Sequence, residues 1–125
     1  MGLVRLRFGA SPSHVRTARL VAVTVARRAG FDEEQVEAVR QAVGEACART
    51  VRQVGPTGHV TLTLDDDPMH AADGQLVVHV HPVTQLTDAD FNPDDELGLA
   101  VLAELTDEYS FDCDEHGPTL RMTWR

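Results

Sequence analysis

The chain has 125 residues, 42% of them hydrophobic and 25% charged, with a formal net charge of −9. This length and composition give one domain, residues 1–125, with enough apolar side chains for a core; global disorder is excluded. An acidic protein repels phosphate backbones, which argues against direct nucleic-acid binding, and no apolar run reaches the roughly 18–20 residues of a membrane span.

Residues 3–8 alternate apolar side chains with Arg5 and Arg7, the period of a half-buried strand. Ser11 and Pro12 form an N-cap and first-turn signal for a helix to about Ala29, with Gly30 at its C′ position. Asp32 caps a second helix, and Glu33 and Glu34 suit its dipole. Val36, Val39, Val43, Ala46, Cys47, Thr50, Val51 and Val54 are its core stripe; a second line runs Ala38, Ala42, Glu45, Arg49, Arg52. A turn over 55–58 leads to an alternating strand at 59–64. A polar loop over 65–74 and a strand over 75–81 follow. Residues 82–95 show little apolar periodicity and read as irregular. A short helix from Asp94 or Asp95 to about Leu105 precedes a terminal hairpin of strands 109–113 and 119–124. The order β-α-α-β-β-α-β-β predicts an α+β two-layer sandwich, a mostly antiparallel sheet with helices on one face.

Charge and chemistry narrow the function. Residues 1–52 hold nine arginines against five acids, and residues 53–125 two against fifteen, so the halves carry about +4 and −13. The acidic half suits a basic protein partner, or simply solubility. Every basic residue is arginine; a P-loop lysine and a Schiff-base lysine are thereby excluded. Cys47 and Cys113 read as small buried hydrophobes. His79 and His81 share one strand face, with His59 on a neighbouring strand. They read as polar residues of the open sheet face, and no metal site is expected. The N-terminus lacks a signal-peptide core, which points to the cytoplasm.

Three segments, 12–30, 37–54 and 96–124, in their order and spacing resemble the GHKL (histidine kinase-like, Bergerat-fold) ATPases, specifically the small anti-sigma-factor serine kinases of the RsbW type. The resemblance implies that Glu45 stands at the general base that activates a hydroxyl toward a γ-phosphate. Arg49 then stands where that family has a Mg²⁺-binding asparagine, and Mg²⁺ needs oxygen ligands that arginine lacks. His81 stands at the adenine-binding aspartate, Val83 at the glycine after it, and Gly98 at one glycine of the last motif, with Glu96 beside it. The segment between His81 and Asp95 lacks a glycine-rich phosphate loop. These departures imply a degenerate nucleotide pocket, with ATP and Mg²⁺ bound weakly or not at all. Glu45 and Arg49 are four residues apart and, apart from the resemblance, could form a helix-surface ion pair; on the resemblance, Arg49 could instead fold over Glu45 into the vacated metal site. Arg16 and Arg19 on the first helix are candidate partner-binding residues, Arg19 matching a family arginine near the surface used for the sigma factor and the antagonist; the alternative is two solvated charges. The expectation is a regulator that binds a sigma factor or a STAS-domain antagonist without kinase activity; the alternative is an active ATP-dependent serine kinase of that antagonist. Such proteins are often homodimers, though nothing in the sequence fixes the oligomeric state.

Overall fold

The computed structural model describes residues 2–55, 57–66, 76–83, 96–114 and 117–125; at 83, 96–97, 112–114 and 117–118 it describes the backbone only. Its elements run β1 (Leu3–Gly9), α1 (Pro12–Arg28), α2 (Glu33–Val54), β2 (His59–Asp65), β3 (Leu76–Val83), α3 (Glu96–Leu105), β4 (Glu108–Asp114) and β5 (Gly117–Trp124). This is the expected order. The strands form one antiparallel sheet, β1-β2-β3-β5-β4.

The helix boundaries follow from local chemistry. Asp32 and Gln35 form a reciprocal capping box at the start of α2: the Gln35 N–H donates to the Asp32 carboxylate at 2.8 Å, and the Asp32 N–H donates to the Gln35 side chain at 3.1 Å. Such a cap stabilises a helix by about 1 kcal/mol. Helix α1 closes in a Schellman arrangement. Gly30, at φ +88°, donates its N–H to the Arg27 carbonyl, and Phe31 donates to Ala26. The positive φ suits glycine, and the motif tucks Phe31 into the core.

Alternation sorts the strands into two faces. Val60, Leu62 and Leu64 of β2, Val78, Val80 and Pro82 of β3, and Leu120, Met122 and Trp124 of β5 are buried inward. Against them lie the buried stripes of α1 (Val15, Ala18, Ala22, Val25) and α2 (Val36, Val39, Val43, Ala46). Each fully buried aliphatic side chain contributes about 1.5–3 kcal/mol. The outward row of β1, β2 and β3 includes Arg5, Arg7, Thr61, Thr63, His79 and His81.

Several element boundaries differ from the sequence reading by one or two residues. Strand β3 continues through Pro82 and Val83, which pair with Val60 and His59 of β2. Proline is tolerated there because the registered β3–β5 pairing stops at Val80 with Leu120. The polar loop expected after β2 begins later, since Asp65 is in the strand and Asp66 is buried. Residues 67–75 and 84–95 lie outside the described residues.

Candidate functional site

The residues carried by the resemblance sit on α2, α3 and the end of β3. Glu45 is half-buried on α2, and among the described residues it has no hydrogen-bond or ion-pair partner. Its carboxylate is therefore not joined to Arg49, contrary to the expected helix pair. Arg49 turns the other way. It is only 5% exposed, and its guanidinium carbon lies 5.0 Å from the centre of the Phe111 ring on β4. That is the geometry of a cation–π contact, strengthened by loss of water.

Gly98 is buried in the first turn of α3, which packs on α2. The Glu96 and Val83 side chains and the whole 84–95 segment lie outside the described residues.

His81 is not where the resemblance implies. It faces the outer side of the sheet, with Arg7, Thr61 and Thr119 around it, and its Nδ1 is 2.7 Å from Thr119 Oγ1. The helices cover the opposite side. The inward positions at this end of β3 are Val80 and Pro82, both buried. Strict alternation is the reason: Val78 and Val80 point into the core, so His79 and His81 must point out. The plainer reading of the histidines, as polar groups on the open face, is the one the geometry matches. Among the described residues no three His, Cys, Asp or Glu side chains converge as metal ligands.

On α1, Arg16 is exposed. Arg19 lies flat on α2, where a Cβ built on Gly44 would run into its Nε. A lone glycine in mid-helix costs about 1 kcal/mol relative to alanine. Such a glycine is itself a signal of close approach, and it was legible in the sequence although the reading passed over Gly44. Cys47 is fully buried nearby, and burial pushes its thiol up to about 12, with Arg19 opposing weakly. It is an inert core residue.

The sequence model of the histidine kinase-like ATPase domain matches residues 8–124. The chain belongs to that family. No curated protein shows a significant sequence match to it. For this histidine kinase-like ATPase domain the fit of Mg-ATP can be judged from the side chains present. Arg49 supplies positive charge and no oxygen ligand where the resemblance implies a metal ligand, so this side chain does not fit Mg²⁺. Among the described residues, the inward side chains at the end of β3, Val80 and Pro82, offer no acceptor to an adenine amino group. Glu45 and Gly98 keep the residue types that the resemblance implies at their positions.

Proposed function

We propose that this domain acts by binding protein rather than by transferring phosphate. In the finer form of the reading it is an anti-sigma-type regulator, similar to the RsbW type, which sequesters a sigma factor and is released by a STAS-domain antagonist. The observation that supports it is the placement of Arg49. The position that the resemblance assigns to a metal-binding asparagine holds instead a buried arginine, whose guanidinium lies over Phe111 and away from Glu45. The fold is kept and the metal chemistry is not. The exposed face of α1 suits the partner role: Arg16 is followed one turn later by Leu20, which is 63% exposed. A cation beside an exposed apolar side chain is the usual make-up of an interface anchor.

Calorimetric titration with ATP, with and without Mg²⁺, tests the reading. We expect no saturable binding tighter than about 1 mM in either condition. Micromolar binding that requires Mg²⁺, with stoichiometric phosphate transfer to a serine of a STAS partner, would overturn it and put Glu45 to work as a base. The partner surface is tested separately. Arg16→Glu should abolish capture of a sigma factor while leaving thermal unfolding unchanged.

A further inference from the structure

The outer face of the sheet carries a second constellation that the nucleotide pocket does not use. Arg5 and Arg7 of β1, Thr61 and Thr63 of β2, and His79 and His81 of β3 surround an open concavity of about 470 Å³, with Thr119 of β5 at its far side. The register sets them in two rows. Arg5 is opposite Thr63, which is opposite His79, which is opposite Arg121. Arg7 is opposite Thr61, which is opposite His81. Among the described residues the lining holds no carboxylate and no large apolar side chain.

The arginines here differ from those elsewhere. Arg27, Arg28, Arg40 and Arg125 each pair with a carboxylate. Among the described residues Arg5, Arg7 and Arg121 have no such partner. In a chain of net charge −9, where carboxylates are plentiful, that leaves a local positive field beside three hydroxyl donors. Guanidinium groups two residues apart on one strand project to the same side, about 7 Å apart, and can close on a single oxyanion.

The geometry points to a binding site for a small, multiply charged oxyanion, of the phosphate-ester or polyphosphate class, on the outer sheet face, with Arg5 and Arg7 as its principal contacts and the Thr61 and Thr63 hydroxyls as donors. The volume is that of a small-molecule site. A protein segment is a poor occupant because the lining holds no large apolar side chain to anchor it. A second copy of this chain is also a poor occupant, since face-to-face packing would set arginine against arginine. Nucleic acid is disfavoured by the charge of the whole domain. This site is independent of the family's nucleotide pocket, which lies on the opposite side of the sheet.

The test is calorimetric titration of the full chain with sodium tripolyphosphate at low ionic strength, alongside citrate and a short single-stranded oligonucleotide. We expect saturable tripolyphosphate binding, weakened at least about tenfold in the double variant Arg5→Gln/Arg7→Gln and unchanged in Arg27→Gln. Citrate distinguishes carboxylate from phosphate as the source of the charge, and saturable binding of either that the double variant loses supports the site. Equal affinity in all three proteins, absence of binding by both small anions, or binding of the oligonucleotide alone would overturn it. The substituted arginines are exposed, so unfolding temperature should be preserved and serves as the control for folding.

Discussion

The Arg49 guanidinium on α2 lies 5.0 Å from the centre of the Phe111 ring on β4, which ties the longest helix to an edge strand. The contact is buried on the arginine side, so it is worth more than an exposed cation–π pair. Arg49→Ala should cost about 2 kcal/mol, from the lost ring contact and from the packing of the arginine stem. A double-mutant cycle with Phe111→Leu, read by urea unfolding, should give a coupling of about 0.5–2 kcal/mol. Coupling indistinguishable from zero would show that the two side chains do not meet.

Arg49→Asn restores the residue type that the family resemblance associates with Mg²⁺. It leaves unchanged the inward end of β3, where Val80 and Pro82 are buried and offer no side-chain acceptor. We therefore expect this variant to be less stable than the parent and still unable to bind Mg-ATP. Calorimetry decides it: Mg²⁺-dependent micromolar affinity in the single variant would mean that Arg49 alone had closed the site.

Asp66 clasps three segments. Its carboxylate accepts the Gly2 N–H at 2.7 Å and the Arg28 Nε–H at 3.0 Å, joining the entrance of β1 and the end of α1 to the end of β2. Burial would raise its pKa, but hydrogen bonds, those from Arg28 and the Gly2 N–H among them, prevail and hold it at about 2. The unfolded value is about 3.9, so the folded chain favours the ionised form. The stabilisation is complete above the unfolded value and is lost as pH falls through about 2. Asp66→Asn should cost about 1.5–3 kcal/mol at neutral pH. The gap in unfolding temperature between the two proteins should shrink steadily from pH 5 toward pH 2. Glu37 is also held at about 2, by Arg40 and Gln41. It is present in both proteins and drops out of the comparison.

Gly44 and Arg19 make a second cycle. Alanine at position 44 gains helix propensity worth up to about 1 kcal/mol, but its Cβ meets the Arg19 Nε. Because the obstacle is the flexible end of a side chain, Arg19 can swing away at modest cost. Gly44→Ala should therefore stabilise an Arg19→Ala background by more than it stabilises the parent. Thermal unfolding of the four proteins measures this, and equal gains in both backgrounds would show that Arg19 does not rest on Gly44.

The elements were legible wherever local chemistry decides them. The capping pair Asp32 and Gln35, the Gly30 terminus and the apolar alternation of β2 each place a boundary without help from distant residues. The open sheet face was equally legible, since Val78 and Val80 inward force His79 and His81 outward. The family resemblance and this periodicity disagreed at His81, and periodicity won because a one-residue shift would have buried two imidazoles and exposed two valines. Arg49 was not legible. On the helix it lies in line with Glu45 and Arg52, and nothing local says that Phe111, far along the chain, will reach it. Pro82 was misread because proline usually ends a strand; here the adjacent pairing with β5 has already stopped.

Thr123 tests a local cost rather than a contact. Its side chain is 1% exposed, and among the described residues its Oγ1 finds no hydrogen-bond partner. The main chain at this position is satisfied, since the Thr123 carbonyl accepts the Asp107 N–H at 3.1 Å. A buried hydroxyl without a partner costs about 1–3 kcal/mol. Valine has the same branched shape, keeps the β-strand preference and removes the polar atom. Thr123→Val should raise stability by about 1 kcal/mol, or unfolding temperature by about 3–5 °C for a domain of this size. Thr123→Ser keeps the hydroxyl and deletes the methyl group, so it should be less stable than the parent. If valine lowers the unfolding temperature instead, the hydroxyl is engaged in a hydrogen bond that stabilises the end of β5.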